Sequence, residues 1–347
     1  MSKSFVHLHA HTEYSMLDGA AKIQTYIDRV KELHQPAAAI TDHGNLYGAL
    51  EFHNIAKKNG VKPIIGYEAY ITTESRFDRP DRNKNKRYHL TLLAENNEGY
   101  WNLVQLASKA FTEGYYYKPR LDYDLLRIHS KGIIALSGCL GGEVAQHLAP
   151  DGSIEEGNNQ GERSYQKALE KADLYQSIFG KENFYIELHN HGIKQQEIIL
   201  PDLLKISNEL SAPLVATNDS HYVNPEDSSA HDALLCVQTN ATIDDDSRFK
   251  FEGEGYYVKS SEEMRTLFND SEYPGACDNT LEIADRVEYN FESGKYYLPA
   301  FPIDDPNLTV EDYLKNLVYE GAKSIYQEIT DEITERIEYE LEVINSM

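Results

Sequence analysis

The segment FVHLHAHTEYSMLDG, residues 5–19, places histidine at positions 7, 9 and 11. In an extended chain alternate side chains share a face, so His7, His9 and His11 lie together, opposite Val6, Leu8 and Ala10. Imidazoles at that spacing can hold one metal ion between them. A polar face turned to solvent is the bland alternative, but the residues up to His11 are otherwise apolar: Phe5, Val6, Leu8 and Ala10. Asp18 follows on a loop from which it can bend back over the histidines; beside Gly19 it serves equally well as a turn residue.

Similar groups recur along the chain. Ile40-Thr41-Asp42-His43-Gly44 ends an apolar run in an acid, an imidazole and a tight turn. Glu68 stands inside KPIIGYEAY, where a bare buried carboxylate would be costly and implies a cation or an arginine partner. His89 opens another run, Cys139 closes one, and Asp219 and His221 share a face in ATNDSHYV as His9 and His11 do. Glu187, His189 and His191 mark one more strand, either as supporting or substrate-contacting groups or simply as structure. This set exceeds what one ion needs and implies two or three, zinc- or manganese-like. A multinuclear centre activates water at neutral pH, clamps phosphate oxygens and stabilises the leaving oxygen of an ester. Neither a Gly-rich phosphate loop nor a nucleotide-binding fingerprint is present in the sequence.

Candidate strands at 5–11, 37–43, 62–71, 88–95, 132–139, 184–191 and 213–222 alternate with amphipathic helices. One such helix spans 21–35, where Ile23, Tyr26, Ile27, Val30 and Leu33 keep helical spacing. Alternation of this kind predicts an α/β fold with parallel pairing, and seven units predict a distorted (βα)7 barrel, similar to a TIM barrel, over residues 1–285. The chemistry-bearing residues cluster near the C-terminal strand ends, the rim where a parallel barrel places its site. Residues 286–347 read as a separate helical segment. Between 304 and 347 it carries twelve acidic residues against three basic ones, and it ends inside a helical pattern, as a piece of a longer protein would.

The chain has 347 residues and a net charge of −24. It is long enough for a large core, ordinary in apolar content, and free of any apolar run long enough to span a membrane. An N-terminus without an apolar signal core and three cysteines without paired spacing (Cys139, Cys236 and Cys277) predict a cytoplasmic protein. Such acidity makes a poor DNA partner unless metals, a local basic patch or another domain supply the attraction. Two loops offer one. Residues 74–87 hold Arg76, Arg79, Arg82, Lys84, Lys86 and Arg87, and EGYYYKPR at 113–120 sets three tyrosines beside Lys118 and Arg120. These can stack bases and grip phosphate, or pack on the barrel and wave in solvent.

VHLHAHTEYSMLDGAAKI, ITDHGNLYGALEF, KPIIGYEAY, YYYKPRLD, LSGCLGGEV and ATNDSHYV, in that order, resemble the polymerase-and-histidinol-phosphatase (PHP) domain family. More narrowly they resemble the N-terminal PHP domains of bacterial DNA polymerase III alpha subunits, a likeness that continues into YYLPAFPI and RIEYELEVI. The resemblance implies a trinuclear centre with nine ligands. His9, His11, Glu68 and Asp219 would surround one metal; Glu68, His89 and Cys139 a second; Asp18, His43 and His221 a third. His7 is outside that pattern, whereas Cys139 and Asp18 stand where related phosphatases often carry histidine. Asp18, Glu68 and Asp219 would carry the catalysis, with Lys118, Arg120 and His191 as candidate phosphate contacts. Zinc suits the mixed donors best, with manganese or iron as the other choices.

Since an acceptable ligand stands at all nine positions, the resemblance implies a proofreading 3′→5′ exonuclease acting on the 3′ end of a DNA primer. The rest of the alpha chain, the sliding clamp and other holoenzyme subunits would be its partners. Two other readings compete: a non-catalytic domain that stabilises the polymerase, and a free-standing phosphatase of small esters, which the polymerase-like tail disfavours.

Overall fold

Seven strands form one sheet in the computed structural model, which describes residues 4–16, 18–81, 86–149, 163–291 and 294–347. They are β1 (Ala37–Ile40), β2 (Lys62–Ile71), β3 (Tyr88–Ala94), β4 (Arg120–Leu121), β5 (Ile133–Leu136), β6 (Phe184–Leu188) and β7 (Leu214–Ala216). Apart from Lys62, every one of these residues is buried. Strands with no solvent face need near-continuous apolar runs, and these segments supply them.

The strands follow the order β1-β2-β3-β5-β6-β7, with β4 beside β2. The N-terminal segment joins the two ends. Ala39 N–H donates to His7 O and Thr41 N–H to Ala10 O on one side, while His11 N–H donates to Ser220 O and Ser220 N–H to His9 O on the other. The sheet therefore curls into a distorted barrel, with His9 and His11 on the segment that closes it. Residues 5–11 do this through isolated bridges instead of the strand expected for them, because their pairing alternates between two neighbours.

The expectation of all-parallel pairing is corrected at one place. β1–β2, β2–β4, β5–β6 and β6–β7 are parallel, but β3 runs antiparallel to both β2 and β5. Among its described residues the β2–β3 connection holds no helix, and a parallel return needs a crossover, usually helical. The reversal has a chemical consequence. His89 opens β3, yet β3's start lies beside the end of β2, in the register His89–Tyr70, so His89 reaches the same rim as the C-terminal ends of the other strands.

Helices cover the sheet. α1 (Ile23–Glu32) buries Ile23, Tyr26, Ile27 and Val30, the face expected from spacing, while Leu33 caps its end. α2 is Ala49–Lys58, and α3 (Asn97–Thr112) starts at Asn96, whose side chain accepts from Gly99 N–H. The chain divides into two compact units, Met1–Asn290 and Phe291–Met347. The first extends past Asp285 because Val287 and Tyr289 are buried and Glu288 N–H donates to Glu95 O. The second holds two helices, Val310–Ile325 and Asp331–Ser346, tied by Lys315 to Glu338. No helix of the described residues is long and apolar enough to cross a membrane.

Candidate metal centre

Glu68 lies at the middle of the rim and uses both oxygens. Oε1 is 3.0 Å from His89 Nδ1, 3.5 Å from His9 Nε2 and 3.5 Å from Cys139 Sγ. Oε2 is 2.6 Å from His43 Nδ1 and 3.7 Å from His11 Nε2. Cys139 reaches this position because Gly138 turns the chain at φ +88, where a Cβ would stand 2.6 Å from His89 O. Burial, then the Glu68 and Asp219 carboxylates, push the Cys139 thiol well above its ordinary value, so it stays protonated unless a cation draws the proton off.

His9 and His11 face Asp219 from the closing segment. Asp219 Oδ1 is 3.4 Å from His9 Nε2 and 3.1 Å from His11 Nε2. Their outer nitrogens are committed elsewhere. His9 Nδ1 is 2.7 Å from Glu187 Oε1, a carboxylate oxygen that can only accept, so Nδ1 carries the proton. His11 Nδ1 donates to Ser15 Oγ at 2.9 Å, because Ser15 spends its own proton on Asp42 Oδ1 at 2.7 Å. Both rings therefore turn Nε2 into the cluster as the nitrogen left for a metal, the arrangement by which outer partners orient metal-binding histidines.

The third group sits alongside. His43 Nε2 is 3.2 Å from Asp18 Oδ2, and one ligand atom each from His11, His43 and His221 lies within 4.8 Å of the others. Asp18 is held by its backbone, whose carbonyl accepts from His231 Nε2 at 2.8 Å. The corresponding groupings His9–His11–Asp219 and His43–Glu68–His89 are equally tight. All nine residues implied by the family resemblance are thus brought to one place.

Several polar atoms of the nine make no aligned hydrogen bond: Asp18 Oδ1 and His221 Nε2, and also His43 Nδ1, Glu68 Oε2 and Asp219 Oδ1, although Glu68 Oε2 lies 2.6 Å from His43 Nδ1 and Asp219 Oδ1 3.1 Å from His11 Nε2. A buried polar atom left without a partner costs about 1–3 kcal/mol. The nine face one another instead of solvent, as groups sharing a cation do, and their imidazole, carboxylate and thiol chemistry fits divalent metals. Burial opposes charge on Glu68, yet His89 and His43 hold its carboxyl well below the usual range, and His9 and His221 do the same for Asp219. Burial and its His11 neighbour lower His221 to about 3, leaving it an unprotonated ligand at neutral pH.

Two of the expected substrate contacts are corrected. Arg120 is buried on β4, and its guanidinium donates to the backbone carbonyls of Gly114, Arg76 and Asp78, so those donors serve the fold. His191 is likewise enclosed. Its Nε2 meets Asn218 O at 2.9 Å, its Nδ1 meets Gln196 Nε2 at 3.0 Å, and its ring stacks on Tyr256 at 3.9 Å. Lys118 does stand at the rim, with Nζ 3.3 Å from Tyr70 OH; the Tyr70 ring packs against His43 and His89. In the basic loop Arg76 pairs with Glu113 and Asp122, and Arg82 and Lys84 lie outside the described residues. Spacing revealed Glu187 only as a supporting candidate; Ser15, Thr217 and His231 gave no sequence signal, since their contacts depend on the tertiary fold.

His7 points away from the cluster, with Nε2 2.9 Å from Lys259 O, and burial lowers it to about 4; burial lowers His191 to about 3. Both folded values lie below the unfolded value of about 6.5. The unfolded chain therefore binds more protons across that window, and stability is lost as pH falls from about 6.5 toward 4. Thermal melts of the metal-free protein should show this loss, and His7→Gln and His191→Gln should each flatten it. Unchanged slopes in both variants would remove the two histidines from the account.

Residues 7–191 match the PHP domain. The chain is 42% identical over 345 residues to DNA polymerase III subunit alpha of Treponema pallidum (strain Nichols), covering 99% of this chain and 28% of that one. It is 42% identical to the same subunit of Borreliella burgdorferi, covering 99% and 29%, and 44% identical to that of Thermus aquaticus, covering 95% and 26%. The chain spans less than a third of the length of these relatives.

Proposed function

The chain belongs to the PHP domain family, and from that premise we propose that its rim cluster is a trinuclear phosphoesterase centre acting as a 3′→5′ exonuclease on DNA. Glu68 carries the reading: one buried carboxylate approaches five ligand-type side chains, split between its two oxygens. His9, His11, Glu68 and Asp219 would hold one metal, Glu68, His89 and Cys139 the second, and Asp18, His43 and His221 the third. A thiol among imidazoles and carboxylates favours zinc. Bound cations would supply an activated water, a clamp on the phosphate oxygens and charge neutralisation at the leaving oxygen.

The chain's own part is positioning. Glu187 and Ser15 fix the rings of His9 and His11, and His231 fixes the loop of Asp18. Asp18, Glu68 and Asp219 supply the negative charge that keeps the cations in place and are the residues expected to carry catalysis. Lys118, beside Tyr70 at the rim, would meet a phosphate there. In the proposed reaction water adds to the terminal phosphorus, the bond to the penultimate 3′ oxygen breaks, and a nucleoside 5′-monophosphate leaves. The similarity to polymerase III alpha subunits supports DNA as substrate, a primer 3′ end as its natural form, proofreading in the cytoplasm as its use, and the remaining polymerase chain, sliding clamp and other holoenzyme subunits as partners.

The test is a primer with a mismatched 3′ end, offered to the protein with zinc or manganese. The parent should shorten it, and Asp18→Asn and Asp219→Asn should not. If no metal supports shortening, or both variants shorten equally well, the domain is a scaffold. Preference for small monoesters over DNA would make it a phosphatase instead.

A further inference from the structure

On segments that also carry His43 and Lys118, the surface bears exposed aromatic rings. Tyr47 (61% exposed), Phe111 (38%) and Tyr115 (53%) come from three places: the loop from His43 into α2, the end of α3, and the turn after it. They nonetheless form one row. The Tyr47 and Phe111 ring centres are 6.3 Å apart, and those of Phe111 and Tyr115 are 6.1 Å apart with planes within 17°. Trp101 is as exposed but stands nearer the other end of α3, outside the row, and a single exposed aromatic needs no explanation.

Both ends of the row lead to the site. Tyr47 follows His43 on its loop. Tyr115 precedes Lys118, whose ammonium lies 5.1 Å over the Tyr70 ring, itself 5.2 Å from the His89 ring. A chain of net charge −24 cannot hold nucleic acid by bulk attraction, so beside Lys118 and the proposed cations at the phosphate, stacking is a further means of holding the strand. Stacking tolerates any base, because every base has a π face, and it requires bases that are unpaired.

We propose that Tyr47, Phe111 and Tyr115 form a stacking platform for the unpaired bases of a single-stranded DNA 3′ end, delivering its terminal phosphodiester to the metal cluster. This rests on the phosphodiesterase reading above. It also gives that site a means of choosing frayed over paired ends: a paired terminus keeps its bases in the duplex stack and offers the row only the outer face of its last pair, where a frayed end offers several.

The experiment measures binding with metal chelated, so that it reads stacking and not hydrolysis. A short fluorescent single-stranded DNA and the same sequence as a blunt duplex are titrated against the full chain and against Tyr47→Ala, Phe111→Ala and Tyr115→Ala. Each replacement should weaken single-strand binding by roughly tenfold. Duplex binding and the salt dependence should not move, because no charge is removed. Tyr47→Phe and Tyr115→Phe should bind as the parent does, and melting temperatures should hold because the rings are exposed. Failure of the parent to bind single strands, or full affinity in the alanine variants, overturns the proposal. So does full affinity in Phe111→Leu, which would mark the row as an apolar contact for a protein.

The two readings fail separately. Stacking without hydrolysis of any phosphodiester by the metal-loaded protein would remove the proposed function and keep the platform as a binding surface. Hydrolysis of a small activated phosphodiester with no effect of the ring variants on DNA would do the reverse.

Discussion

Glu68→Gln is expected to lower phosphodiester hydrolysis by about 10²–10³-fold or more, the loss that follows removal of one electrostatic stabiliser from a preorganised site, and to lower the metal content of the purified protein. The side chain keeps its shape, so the change is chemical. Glu68 Oε1 faces His89, His9 and Cys139, and Oε2 faces His43 and His11. An amide can leave an acceptor oxygen on only one side, and its NH₂ competes with a cation on the other. In the metal-free protein His89 and His43 favour the Glu68 anion, so the same change takes away a charge that the fold stabilises, and stability should fall. With metal the gap should widen, since binding stabilises only the folded state and the variant binds less. Elemental analysis, steady-state rates and melts with and without chelator read all three. A variant with full metal content and full rate would remove Glu68 from the centre of the site.

The histidines and acids of this site were legible only in part from strand alternation. The rule gives His9 and His11 a common face but sets His7 there too, whose ring turns to Lys259 O; Asp219 stands at φ +43, outside extended geometry, so alternation does not account for its place beside His221; and a lone Glu68 in an apolar run has few explanations. The reversal of β3 was not legible, since an apolar run looks the same in either direction; the lack of a helix before it, among the described residues, was the available hint. His89 reaches the site because of that reversal. Arg120 and His191 show the opposite limit. An arginine after three tyrosines reads identically whether its donors face a phosphate or three backbone carbonyls, and only the fold shows that they face the carbonyls. The contact of His231 with the Asp18 carbonyl joins residues 213 positions apart, which no local pattern records.

Glu187→Ala is expected to damage folding and metal binding together, and Glu187→Gln chiefly the second. The Glu187 carboxylate is fully enclosed and satisfies five donors: His9 Nδ1 at 2.7 Å, Thr217 Oγ1 at 2.6 Å and His189 Nε2 at 3.0 Å on Oε1, with Gly138 N–H at 2.9 Å and Thr91 Oγ1 at 3.3 Å on Oε2. Burial would raise this carboxyl, but His9 and His189 hold it far below the ordinary range, so it is an anion at every working pH. Alanine leaves those donors buried and unpaired, a loss of about 3–5 kcal/mol by analogy with a broken buried ion pair. Glutamine keeps the volume but must turn its NH₂ toward either Gly138 N–H or His9. Facing Gly138, donor meets donor. Facing His9, it forces Nδ1 to accept, which moves the proton to Nε2 and takes away the lone pair aimed at Asp219 and Glu68. Either outcome should weaken metal affinity by about 10–100-fold, the usual effect of removing a histidine's outer partner. The two variants separate support of the fold from support of the tautomer: chelator-treated Glu187→Gln should melt well above Glu187→Ala, yet require more metal than the parent to reach half its activity. If glutamine binds metal as tightly as the parent, the His9 proton is not set by Glu187, and the orientation of the first metal-binding pair must come from backbone geometry alone.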